Sequence, residues 1–117
     1  MTHYPSPIAL ILALAATIVI EAGVLLLLGE RRKRVFVASV AMNVATNLPL
    51  NFWLIHHGGG WPAIAIGESF VVLIETLCYR CVLDRWSTAL VYSVLCNAVS
   101  FLVGVLVHLI SALLQTT

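Results

Sequence analysis

The sequence predicts an all-α polytopic membrane protein, four transmembrane helices built from two tandem parallel-repeat hairpins, in a single domain covering residues 1–117. Three observations carry this expectation. First, 62% of the residues are apolar and only 9% charged, with a mean hydropathy of +1.07, whereas soluble domains carry about a quarter charged residues. Second, the eleven charges are segregated. Five fill positions 30–34 and two more are Asp84 and Arg85, which leaves uncharged stretches at 35–67 and 86–117, each longer than the ~20 residues a membrane helix requires. Third, the chain aligns with itself at an offset of 54 without a gap.

This composition excludes a disordered chain, a basic nucleic-acid-binding surface and a disulfide-stapled secreted module. A net charge of +1 gives no reason to expect a polyanionic partner, and no nucleic acid is expected. The lipid bilayer is the expected surrounding, with a homodimer or another membrane protein as protein partner.

The first helix is expected over 8–28. Pro5 and Pro7 suit a helix start, where the missing N–H costs nothing. The first seven residues hold no Lys or Arg, and the apolar run is too long for a signal-peptide core and is interrupted by Glu21, so the segment reads as a retained span. A second helix over 35–55 follows the charged connection, and on it Ser39, Asn43, Asn47 and Asn51 recur every four residues on one face. His56, His57, Gly58, Gly59, Gly60 and Trp61 form the next connection. The third helix, 62–83, aligns Glu68, Val72, Glu75 and Tyr79, and Asp84 with Arg85 makes a short turn. The fourth, 87–114, carries Ser93, Asn97, Ser100, Gly104, His108 and Ser111 at spacings of three or four. Short connections make successive helices antiparallel neighbours, and the four polar faces are expected to turn inward.

All six Lys and Arg fall at or near the first and third connections. By the positive-inside rule, loops 29–34 and 84–86 are cytoplasmic and both termini are periplasmic or extracellular, in a cell inner membrane. Trp53 and Trp61 then mark the outer interface and Trp86 the inner one.

The repeat pairs residues 8–55 with 62–109. Ile20 and Glu21 fall on Ile74 and Glu75, Glu30 and Arg31 on Asp84 and Arg85, Ser39 and Val40 on Ser93 and Val94, Asn43 on Asn97, Thr46 on Ser100 and Leu48 on Leu102. Matched acids, amides and an acid–Arg pair are informative where apolar matches are not. Both hairpins run in the same direction, so the pseudo-two-fold axis lies along the membrane normal. Glu21, Glu75, Asn43 and Asn97 all fall about 11–15 Å from the inner boundary at ~1.5 Å per residue, forming one polar layer.

An unpaired carboxylate at that depth costs several kcal/mol if charged, so Glu21 and Glu75 are the leading candidate site, with Asn43 and Asn97 as amide partners and Ser39 and Ser93 as secondary ligands. One reading is a proton or cation site in a protein that transports a proton, cation or small polar solute. The other is a non-catalytic scaffold or accessory subunit, whose network of hydrogen bonds fixes helix register. Glu68 and Asn47 depart from the repeat, answering to Leu14 and Phe101, and join the candidate site residues. Glu68 either forms an outer vestibule with Asn51 and His108 or snorkels outward. Arg80 is expected to pair with Asp84 four residues on.

Cys78, Cys81 and Cys96 read as small apolar fillers, because a lone C-x-x-C lacks a second ligand pair. His56, His57 and His3 read as loop histidines rather than a metal site, since no carboxylate or thiol accompanies them. No metallopeptidase, serine-hydrolase, phosphate-loop or haem motif occurs, and neither enzymatic activity nor a metal or other cofactor is expected.

Overall fold

The computed structural model describes residues 6–57 and 60–117 and is all helical over them. Four helices follow in order: α1 Pro7–Leu27, α2 Lys33–His57, α3 Trp61–Val82 and α4 Trp86–Gln115. All four are long and apolar enough to cross a membrane, which makes this a membrane protein. At ~1.5 Å per residue the shortest, of 21 residues, reaches about 31 Å, one hydrocarbon thickness.

Local chemistry sets the ends. Ser6 caps α1 by accepting from Ala9 N at 3.2 Å, and Pro7 occupies the first turn. At the other end the backbone turns sharply at Gly29, whose φ of 86° an L side chain resists. Glu30 N donates to Leu25 O and Gly29 N to Leu26 O, the paired bonds of a Schellman cap. Gly29 thereby delivers Glu30 back under the bundle. Within α2, Pro49 removes one backbone donor. In α3 and α4, Pro62 near the start of the one and the three-residue link at 83–85 to the other keep the second hairpin tight.

The helices form a ring. Each packs against its two neighbours, α4 closing on α1, and the backbones of the diagonal pairs stay apart among the described residues. Apolar burial concentrates near the 28–32 and 83–85 connections, where Leu25, Val35, Met42, Tyr79, Leu83, Ala89, Tyr92 and Cys96 form the core. Towards the other end only Gly67 and Val71 are buried on the first half of α3, and a Cβ at Gly67 would meet the tip of the Leu50 side chain. Gly104, His108 and Ser111 are exposed, so the polar stripe of α4 faces the interior over its first half only. The helix has 30 residues, about 45 Å, and its far end outruns its shorter neighbours.

Candidate functional site

Four helices contribute to one polar layer in the buried half of the ring. Glu21 of α1 and Glu75 of α3 are each 1% exposed, and neither has an ion-pair partner among the described residues. Asn43 of α2 donates its Nδ2 to Glu21 Oε2 and also to Ser39 O at 2.9 Å. Asn97 of α4 does the same in the second hairpin, to Glu75 Oε2 at 2.6 Å and to Ser93 O at 2.8 Å. In both hairpins the Glu and its Asn are 22 residues apart. The extra bond to the i−4 carbonyl fixes each amide's rotamer, so the donor points at the carboxyl group.

The second oxygen of each acid faces the opposite hairpin. Thr46 Oγ1 lies 3.4 Å from Glu75 Oε1, and Ser100 Oγ lies 3.4 Å from Glu21 Oε1. Each hydroxyl also donates to its own helix at 2.7 Å, Thr46 to Met42 O and Ser100 to Cys96 O. A hydroxyl carries one proton, and the shorter bond takes it. The carboxyl oxygen therefore faces a lone pair.

The other expected site residues fall around this layer unevenly. Asn47 joins it, donating Nδ2 to Asn43 Oδ1 at 2.7 Å, which completes a line from Asn47 through Asn43 to Glu21. Ser39 is buried beside Glu21 and Tyr79. Ser93 is fully buried but spends its hydroxyl on Val72 O of α3 at 2.8 Å, tying α4 to α3 rather than binding an acid. Glu68 is not part of the layer. It lines a groove of about 510 Å³ between α3 and α4, together with Trp61, Ser69, Asn97, Ala98 and Phe101. Asn97 is thus shared by the buried acid and the groove.

Thr46 and Ser100, which the offset of 54 aligns, are partners of the acids that the sequence expectation lacks. The signal was present, since hydroxyls at matched positions one turn beyond each Asn reach the facing helix. Tyr79 is fully buried beside Ser39, and its hydroxyl makes no hydrogen bond within 3.5 Å among the described residues. Its ring meets that of Tyr92 edge-on with centroids 6.0 Å apart.

At the membrane edge Glu30 makes a separate cluster. Its Oε1 accepts from Arg31 N, Arg32 N and Arg32 Nε, and its Oε2 from Arg32 Nη2 at 2.9 Å and Tyr92 Oη at 2.9 Å. The side-chain bond from Arg32 is the main cause that holds the carboxyl at about 2, well below its ordinary 4.5. Tyr92 lies 62 residues away in sequence, so no local pattern announces the pairing. Arg80 does not pair with Asp84: it donates Nη1 to Leu83 O at 2.9 Å and sits 5.5 Å over the Trp86 ring. His56 bonds Phe52 O, while His3 lies outside the described residues, as do Gly58 and Gly59. No group of three or more metal-ligating side chains occurs among the described residues.

Comparison of the chain with known protein families, with curated proteins and with solved structures finds no match.

Proposed function

We propose that this is a small, non-enzymatic inner-membrane protein in which two symmetry-related carboxyl groups exchange protons, or bind a cation, in moving a small solute across the bilayer. The single observation that supports it most is the crossed arrangement of the acids. Each closed-in carboxyl group is held by an Asn of its own hairpin and faces a hydroxyl of the other that has already given its proton to a backbone carbonyl. A proton on the acid bonds that hydroxyl. Losing the proton turns the contact repulsive, unless the hydroxyl swings away from its carbonyl. Protonation of Glu21 and Glu75 is thereby linked to the contact between hairpins.

The groups facing the pair are few. Helix α1 offers Glu21 itself, α2 only Ser39, Asn43 and Thr46, α3 Glu75 with Tyr79 and the more distant Glu68, and α4 Asn97, Ser100 and Cys96. No cation stands among them, so proton loss has to be met by an incoming cation or by movement.

The wider reading treats residues 8–55 and 62–109 as duplicated hairpins of one domain, supported by the equal spacing of the two Glu and Asn bonds and by the reciprocal hydroxyls. The six Lys and Arg cluster at one end of the ring, which supports a cytoplasmic placement of loops 29–34 and 84–86 and an outer placement of both termini. Labelling of a Lys33→Cys variant in intact cells tests this, and reaction with an impermeant reagent from outside overturns it.

For the proton reading, the protein is reconstituted in liposomes holding a pH-sensitive dye, with potassium and valinomycin clamping the potential. A saturable proton flux that Glu75→Gln abolishes, in protein that still elutes and melts as the parent does, supports the proposal. A scaffold role is favoured by one observation: Asn43 has both its amide groups satisfied within the chain, as a register-setting network requires. If the double variant Glu21→Gln, Glu75→Gln changes only thermal stability and leaves dye response unaltered, the scaffold reading takes its place.

A further inference from the structure

The groove between α3 and α4 is separate from the acid pair, and its chemistry is one-sided. Its walls are apolar, with Trp61 at one end and Phe101 beside Ala98, and its volume of about 510 Å³ falls within the ~300–1,000 Å³ of sites for drug-sized ligands. Apart from the indole N–H of Trp61 at its end, three polar side chains line it: Glu68, Ser69 and Asn97.

All three present acceptors. Glu68 is half-buried and takes part in no hydrogen bond or ion pair among the described residues. The nearest cation on its own helix, Arg80, is twelve residues on, about 18 Å. Ser69 has given its proton to Ala65 O at 2.7 Å and keeps lone pairs. Asn97 donates Nδ2 to Glu75 and to Ser93 O, and no side chain among the described residues donates to its Oδ1. In the first hairpin Asn47 supplies that donor to Asn43, but at the corresponding position of the second hairpin stands Phe101.

An apolar cleft with an unpaired carboxylate, free acceptors and no Lys or Arg in its lining suits a ligand that is cationic, donates N–H and carries a hydrophobic body. We propose that the α3–α4 groove binds a protonated hydrophobic amine, its ammonium between Glu68 and Asn97 Oδ1 and its apolar body against Trp61, Ala98 and Phe101. A phospholipid fits less well, because its phosphate would meet a carboxylate and no cation. A quaternary ammonium would satisfy the charge and leave both neutral acceptors unmet. The site stands whether or not the acid pair moves protons.

Adamantan-1-amine, adamantan-1-ol and adamantane-1-carboxylate share one body and differ in charge and donors, so they separate these contributions. Isothermal titration into the full chain in zwitterionic-lipid nanodiscs, with empty nanodiscs subtracted, should show saturable binding of the ammonium at least tenfold tighter than of the alcohol, and none of the carboxylate. Glu68→Gln should weaken the ammonium at least tenfold and leave the alcohol within about twofold. Ala98→Trp, on the exposed wall of the groove, should remove both without lowering the melting temperature by more than a few degrees. Equal binding of the three compounds overturns the proposal. So does ammonium binding indifferent to Glu68→Gln, the outcome if Glu68 merely snorkels to water. Cysteine crosslinking through position 98 between two copies in the same nanodiscs also overturns it, since the groove would then be filled by the protein itself.

Discussion

Asn43→Leu removes an amide of nearly the same size and tests the buried network directly. Asn43 gives up one bond to Glu21 across the α1–α2 interface and the acceptor for Asn47 Nδ2. Ser39 O, the third partner, keeps its helical backbone bond. An interhelical bond in a membrane is worth ~0.6 kcal/mol on average, up to ~1.7, but Glu21 is 1% exposed, and stranding a buried oxygen costs about 1–3 kcal/mol. The half-buried Asn47 adds roughly 0.5–1 kcal/mol for a lost ordinary bond. The sum is about 1.5–4 kcal/mol. Asn97→Leu strands Glu75 in the same way, but no donor is lost behind Asn97, and the groove lies beside it. It should therefore cost about 0.5–1 kcal/mol less by the same count. Reversible unfolding in mixed micelles, followed by far-UV ellipticity against the denaturing-detergent fraction, measures both. The double variant Glu21→Leu, Asn43→Leu should be less destabilised than the sum of its singles, because with both partners gone no carboxyl oxygen is left stranded and only the Asn47 bond is lost. Asn97→Leu costing as much as Asn43→Leu, or additive effects in the Glu21 cycle, would refute the reasoning.

At the membrane edge, the Glu30 carboxyl sits near 2 in the folded chain against an ordinary 4.5, so its contribution is present above about pH 5 and drains away as pH falls towards 2; acid melts of the parent should show this loss, and Glu30→Gln should flatten it. Tyr92→Phe deletes one bond to that charged group and should cost about 1.5–3 kcal/mol at neutral pH, with a smaller cost at pH 2.5 in the same melts. Gly67→Ala meets only the mobile tip of Leu50 and should cost about 1 kcal/mol or less, whereas Gly67→Ile overpacks the α2–α3 contact by about 1–3 kcal/mol, and Leu50→Ala should recover part of the loss in the thermal melt. Asp84→Asn should leave the melting temperature unchanged, because Arg80 is bonded to Leu83 O and Trp86 rather than to Asp84; Arg80→Ala should cost about 0.5–1 kcal/mol.

Helix boundaries were legible to within two residues, for a physical reason: charge, Pro and Gly mark the places where a chain can leave a bilayer, and few other positions permit it. Glu21, Asn43, Glu75 and Asn97 were legible as well, since an acid and an amide at matched depth have few partners but each other. Less legible was the work of the hydroxyls. Thr17, Thr46, Ser69, Thr76 and Ser100 all give their proton to the carbonyl one turn back, so a Ser or Thr on an inward face is satisfied with or without a tertiary partner. That is why Ser93, which reaches Val72 O instead, broke the expected pattern. The second half of the α4 stripe illustrates a second limit. Helical periodicity records which side chains share a face, and nothing in it says where along a 30-residue helix the neighbours end. The bond between Tyr92 and Glu30 depended on the Gly29 turn, whose cap geometry the composition of the loop does not reveal.

The two hairpins, if duplicates, have diverged in one direction. In the first, Asn43 is saturated by Asn47, and Leu14 stands where the second has Glu68. In the second, Phe101 replaces the donor and Glu68 adds an acid, so Asn97, which lines the groove, holds Glu75 while no side chain among the described residues donates to its Oδ1. A ligand N–H that drew on Asn97 would pull on the same amide that fixes Glu75, and Glu75 touches Thr46 of the first hairpin. Occupancy of the groove and the state of the acid pair are then coupled through one side chain, and thermodynamic reciprocity applies. Protonation of Glu75 should shift amine affinity by the same factor by which the amine shifts proton binding at Glu75, and Glu75→Gln, a neutral stand-in for the protonated acid, should shift it in the same direction. Unchanged affinity in Glu75→Gln would separate the two sites and leave the first hairpin, with its closed network, as structural support for a binding site in the second.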